Sequence, residues 1–167
     1  MAASDSFVIN EKPVADASIQ SDSGIAFVGG DSTLRVGPVQ SWIEDALLRF
    51  DLSSLETHGY MDAKSAILRL YALVASPTGG LVRLASHNEW DEDHLQWENA
   101  PAAGKVLAII GKIGPNEWID VDVTGALLLS DSGVFSLRIT PENQNHGWLA
   151  KYSSKEGPFS PELRVTF

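Results

Sequence analysis

Apolar and polar side chains alternate along most of this chain with a period of two. Ala46, Leu48 and Phe50 interleave with Leu47, Arg49 and Asp51. Ala66, Leu68, Leu70 and Ala72 interleave with Ile67, Arg69 and Tyr71, and Phe135, Leu137 and Ile139 with Ser136, Arg138 and Thr140. That spacing sends successive residues to opposite faces of a strand and cannot make one face of a helix. Shorter runs of the same kind fall at 14–19, 25–28, 33–36, 81–85, 106–110, 118–121, 148–152 and 163–167. Turn residues separate them, among them Gly37-Pro38, Ser76-Pro77-Thr78-Gly79-Gly80, Gly114-Pro115-Asn116, Asp131-Ser132-Gly133 and Glu156-Gly157-Pro158. About eleven short strands with such punctuation predict an all-β chain, a jelly-roll β-sandwich of two antiparallel sheets. Only 92–97 and 124–130 read as helical, one or two turns each, with Thr124 as the N-cap of the second.

The chain has 167 residues, with neither linker nor low-complexity tract, and reads as one domain over 6–167. A domain of this size buries roughly two-thirds of its extended surface and needs no covalent staple. Cysteine is absent, which excludes disulfides, thiolate chemistry and cysteine-ligated metals. Asp and Glu number 22 against 12 Lys and Arg, a formal net charge of -10. That sign repels nucleic acid and anionic membrane, so neither is expected as a partner. The longer apolar runs, such as Ala126-Leu127-Leu128-Leu129, are far too short to span a bilayer. No signal-peptide pattern opens the chain, which reads as one module of a longer exported protein and, by default, a monomer.

Catalytic motifs are missing: there is no nucleophile elbow, zinc-protease helix or dinucleotide fingerprint. His87 and His94 flank Asp91 and Asp93, and Asp120 and Asp122 share one face of a strand. In a chain this acidic such pairs arise without acid–base function, and spacing alone cannot set two acids across one glycosidic bond. Calcium fits the composition better, because it takes six to eight oxygens from carboxylates and carbonyls. Asp16, Asp22 and Asp31 are the foremost candidate ligands for a structural Ca2+, followed by Asp51, Asp91, Asp93 and Glu98.

Several segments recur in a known order: Ser32-Thr33-Leu34-Arg35-Val36, Leu48-Arg49-Phe50-Asp51-Leu52 and Ala66-Ile67-Leu68-Arg69-Leu70-Tyr71. Then come the stretch from Glu89-Trp90-Asp91-Glu92 to Gln96-Trp97-Glu98-Asn99-Ala100-Pro101, the run Trp118 to Thr124, and Ser153-Ser154-Lys155-Glu156. From about Ala15 to Phe167 the chain resembles the DNRLRE-type domains, which include carbohydrate-binding modules of alginate lyases and related enzymes. The resemblance implies a jelly roll without catalysis, often with bound calcium, secreted or extracellular, and in some members specific for acidic algal polysaccharide. Gln96 replaces the usual Thr before the second Trp, and Asn143 to Trp148 departs from the usual apolar approach to the Ser-x-Glu motif. Trp90, Trp97 and Pro101 read as scaffold covering one end of the core.

Arg35, Arg49, Arg69, Arg83 and Arg138 each sit in the middle of an apolar strand, alternating with core positions. On neighbouring strands they would form a cationic stripe, and the guanidinium fork suits carboxylate oxygens. Lys151 extends the set, and Tyr71 and Trp42 offer flat contacts for sugar rings. The same arginines can instead pair with cross-strand acids such as Asp51 and Asp120. Together with the resemblance, the expectation is a non-catalytic module binding an acidic polysaccharide, alginate foremost, and targeting a covalently linked catalytic domain. A calcium-stabilised structural or adhesion module, and a polysaccharide lyase or hydrolase, are the alternatives.

Overall fold

The computed structural model describes residues 7–22, 31–55, 62–130, 132–143 and 147–167. Eleven strands form: β1 (Val8–Glu11), β2 (Ala15–Gln20), β3 (Thr33–Val39), β4 (Trp42–Asp51), β5 (Ser65–Ala72), β6 (Gly80–Ala85), β7 (Ala103–Ile110), β8 (Glu117–Asp122), β9 (Val134–Thr140), β10 (Ala150–Ser153) and β11 (Glu162–Thr166). One short helix, α1 (Thr124–Leu129), joins β8 to β9. All pairings are antiparallel, and the strands make the two sheets of a jelly-roll sandwich.

In the first sheet β5 lies between β8 on one side and β11 and β10 on the other, with β1 outside β11. The second sheet runs β2, β4, β9, β6, β7. Strand β3 belongs to both: residues 33–36 pair with β10, and 37–39 turn to pair with β4. Gly37 makes that corner at φ 152°, where a Cβ would stand 2.6 Å from the Trp148 carbonyl oxygen. A side chain there would force the two strands apart.

The core lies between the sheets. Leu48 and Phe50 of β4, Leu68 and Leu70 of β5, Leu137 and Ile139 of β9, Tyr152, Leu163 and Val165 are all fully buried. Strand β5 keeps the simple alternation of the sequence, with Ser65, Ile67, Arg69 and Tyr71 half-exposed between buried partners. Strands β2, β4 and β9 do not, because both of their faces are covered. On their outer side Ala15, Ala17, Ile19 and Leu47 pack with Trp90 and Leu95 in a second apolar cluster. Trp90 Nε1 donates to Ser136 Oγ at 2.9 Å, which anchors the covering segment to β9. The two tryptophans are thus scaffold as expected, but they cap the outside of the second sheet rather than an end of the core.

Three local expectations differ. Residues 92–97 form turns, held by Asn99, whose side chain accepts from the Gln96 N–H and donates to the His94 carbonyl. Helix α1 begins after Val123 without a side-chain cap; Asp122 accepts from both the N–H and the hydroxyl of Thr124 instead. Strand β1 carries little apolar signal and forms because β11 offers it a free edge. The expected strand at 25–28 lies outside the described residues. Among the described residues no helix is long and apolar enough to cross a membrane.

Candidate functional site

Alternation in β5 turns Arg69 and Tyr71 out of the first sheet. Register with β8 sets Tyr71 opposite Trp118 and Arg69 opposite Asp120. Where β10 and β11 diverge, the chain between them brings Phe159 onto the Tyr71 ring, with centroids 4.0 Å apart and planes 22° from parallel. Trp118 stands edge-on to Tyr71 at 5.3 Å and to Phe159 at 6.3 Å. Trp118 and Phe159 remain 38% and 40% exposed, so a strip of three rings faces solvent. The Arg69 guanidinium lies 5.1 Å over the Trp118 ring and pairs with Asp120 at 2.9 Å and Glu162 at 3.8 Å. On the other flank Lys151 sits directly across from Arg35, whose guanidinium pairs with Asp31 at 2.8 Å. Four of the sequence candidates, Arg35, Arg69, Tyr71 and Lys151, therefore share one outer face. Trp118 and Phe159 were missed; the alternation in β8 could have shown Trp118 as outward, but Phe159 lies in a connection without periodicity.

The remaining arginines belong to the second sheet, so no single five-arginine stripe exists. Arg49 donates to the carbonyls of Asn88 and Trp90 and lies 5.0 Å from the Trp90 ring, which ties it to the covering segment. Arg138 is buried; its Nε donates to Asp45 Oδ2 at 2.8 Å, its Nη1 to the Pro101 carbonyl, and it stacks 4.8 Å over Trp97. Arg83 donates to Thr140 Oγ1 and the Gly104 carbonyl. Trp42 opens β4 opposite Val39 with its indole nitrogen buried, away from the exposed rings. Asp51, expected as an arginine partner, accepts from Ser53 instead, and those bonds hold its carboxyl below the usual range.

A separate group of acids joins three distant parts of the chain. Asp16 of β2, Glu92 of the covering segment and Glu156 of the β10–β11 connection bring carboxylate oxygens within 4.8 Å of one another. Asp16 is buried, and its Oδ2 accepts from the Lys155 N–H at 2.7 Å while Oδ1 has no partner. Burial pushes the Asp16 carboxyl up to about 8, with Glu156 adding to the rise and the Lys155 N–H opposing it. Lys155 Nζ donates to Glu92 at 2.9 Å and also to Glu156, and these contacts hold its ammonium above the ordinary lysine range. An orphaned buried oxygen among three converging carboxylates fits a divalent cation.

Of the predicted ligands only Asp16 is in this group. Asp22 is exposed at the end of β2, and the Asp31 carboxylate is spent on Arg35 and the Thr33 N–H. Glu92 and Glu156 were not among the candidate ligands; both lie in segments that carry the family resemblance, Glu89-Trp90-Asp91-Glu92 and Ser153-Ser154-Lys155-Glu156, but nothing in the sequence said that they meet.

The pairs considered for acid–base chemistry do local work. Asp91 accepts from the Asp93 N–H and contacts His94 at 3.0 Å in an exposed turn, which holds its carboxyl below the usual range. His87 Nδ1 accepts from the Glu89 N–H. Asp120 pairs with Arg69, and Asp122 opens α1.

Residues 8–167 match the family model of carbohydrate-binding module family 96. The match runs from β1 to the last residue, so it takes in the aromatic strip, the acid cluster and both sheets. The search of curated proteins found no match.

Proposed function

The chain belongs to carbohydrate-binding module family 96, a non-catalytic class with a polysaccharide partner, and on that premise we propose that it binds an acidic polysaccharide, alginate foremost, on the outer face of the first sheet. The observation that carries this reading is the exposed strip of Tyr71, Trp118 and Phe159 flanked by Arg69 on one side and Lys151 and Arg35 on the other. Exposed rings of this size, held by one another and by Arg69, are a rigid platform that loses little entropy on binding. Sugar rings lie against them through their C–H faces. Uronate carboxylates then reach the flanking ammonium and guanidinium groups, at exposed positions where salt competes.

We read the acid cluster as a structural calcium site held by Asp16, Glu92 and Glu156. Calcium there would supply the positive charge that lets the buried Asp16 ionise, and it would tie β2, the covering segment and the β10–β11 connection together. The module is one domain, a monomer, working in a secreted or extracellular protein beside a linked catalytic domain that it holds to the substrate.

The test is a titration with mannuronate-rich and guluronate-rich alginate, pectate and neutral cellulose at low and high salt, with calcium or chelator. Saturable binding to an acidic glycan is expected, weakened by salt and lost in Tyr71→Ala and Lys151→Ala proteins whose melts are unchanged. Binding that survives both substitutions, or tight salt-insensitive binding to cellulose, would overturn the proposed face. Silence with every glycan, coupled to a melt that drops on chelation, would favour a calcium-stabilised structural module.

A further inference from the structure

We infer that Lys155 is a built-in competitor for the cation site: its ammonium holds the glutamate oxygens that a divalent ion needs, and it must swing out to solvent before the site can load. This rests on the calcium reading of the acid cluster. It adds the residue that sets how tightly, and for which ions, the cluster closes.

The three carboxylates are served unequally. Lys155 Nζ bridges Glu92 Oε1, at 2.9 Å, and Glu156 Oε1. The other glutamate oxygens face donors as well: Glu92 Oε2 lies 3.4 Å from the Asp16 nitrogen and Glu156 Oε2 lies 3.2 Å from the Ser154 hydroxyl. Asp16 differs. It is 1% exposed, its Oδ2 takes only the Lys155 backbone N–H, and its Oδ1 takes nothing. One ammonium therefore satisfies two acids and leaves the buried third short. The ligand atoms of all three lie within 4.8 Å of one another. Calcium bonds to oxygen at about 2.3–2.6 Å, so an ion shared by these acids would sit against the ammonium. Like charges that close repel strongly away from bulk water. The ammonium and a metal ion are thus alternative occupants.

Only the side chain of Lys155 has to move. Its backbone N–H is fixed on Asp16 at 2.7 Å, and the Ser154 N–H on the Ser32 carbonyl at 3.0 Å. Two residues on, a Cβ at Gly157 would stand 2.8 Å from that same carbonyl oxygen, so the connection is pressed against the start of β3. The lysine stem is flexible and its head is compact and readily hydrated. The side chain is already 25% exposed, so it reaches water without disturbing the backbone. A monovalent ion offers the glutamates no more charge than the ammonium does. Lys155 therefore biases the cluster toward divalent ions.

The experiment has two readings on the full chain. In the first, the wild type is treated with an acetylating amine reagent in calcium chloride and in potassium chloride at matched ionic strength, and each lysine is followed by mass spectrometry. The exposed Lys105 and Lys112 serve as internal standards. Lys155 should react several-fold faster in calcium, and the standards should not change. In the second, calorimetry with calcium compares the wild type with Lys155→Gln. The variant should bind about two- to thirtyfold more tightly, the reach of two partly exposed ion pairs. Equal calcium affinity in both proteins, with Lys155 labelling unchanged, overturns the competition and leaves the calcium site standing. Uptake by neither protein overturns both. Uptake by Lys155→Gln alone supports the competition and removes calcium from the native module.

Discussion

Replacing Asp45 by Asn tests whether burial or ion pairing governs the second sheet. Asp45 is almost wholly buried on β4 and meets Arg138 Nε at 2.8 Å. Two guanidinium groups, Arg138 and more weakly Arg83, favour its ionised form, yet desolvation outweighs them and pushes its carboxyl up to about 6. A rise of about two pH units over an ordinary carboxylate is worth about 3 kcal/mol of differential interaction. The sign follows from linkage: between pH 4 and 6 the folded chain holds this proton more tightly than the unfolded chain. Ionised Asp45 therefore costs stability at pH 7, and that cost fades as pH falls toward 4. Asp45→Asn keeps the shape and does not titrate. Its stability relative to wild type should drop by about 2 to 3 kcal/mol between pH 7 and pH 4, a change of about 1 M in the difference of urea midpoints. Urea melts of both proteins at four pH values measure this, and contributions from other groups cancel in the difference. Parallel curves would refute the burial argument. The opposite slope, with Asn most damaging at neutral pH, would show that the ion pair is net stabilising.

Calcium at about a hundred times its dissociation constant should add about 3 kcal/mol, read as a melting rise of roughly 5–10 °C. Asp16→Asn should abolish that rise, and a rise that persists would move the site elsewhere. Tyr152 is fully buried and donates to the Gly79 carbonyl at 2.7 Å. Tyr152→Phe should therefore cost about 1–3 kcal/mol in a denaturant melt and leave glycan binding unchanged. Trp118→Ala removes a ring that is already 38% exposed. Its melt should stay within about 1 kcal/mol of wild type, while calorimetry shows acidic-glycan binding weakened by at least about tenfold.

How much was legible depended on how far each residue's role was local. Alternation in β5 and β9, and the glycines and prolines between strands, are properties of adjacent residues, so the all-β sandwich could be read directly. The alternation also showed correctly that Arg69 and Tyr71 leave the core together. It failed for β2 and β4, whose continuous burial comes from Trp90 and Leu95 folding back across them. It failed again at β1, an edge strand defined by its partner rather than by its own residues.

The sequence by itself determined the strand pattern, the absence of thiol chemistry, the acidic balance and the supply of outward arginines. Only the tertiary structure decided which of those arginines could serve a ligand. Strand order put Arg35, Arg69 and Lys151 on one face and Arg49, Arg83 and Arg138 on the other, and gave most of the guanidiniums partners distant in sequence. It also drew Asp16 and Glu156 together across the length of the chain, with Glu92 between. The reason is physical: a side chain's face follows from its neighbours along the strand. Its partner follows from which strands hydrogen-bond, and pairings so distant in the chain leave no periodicity to read.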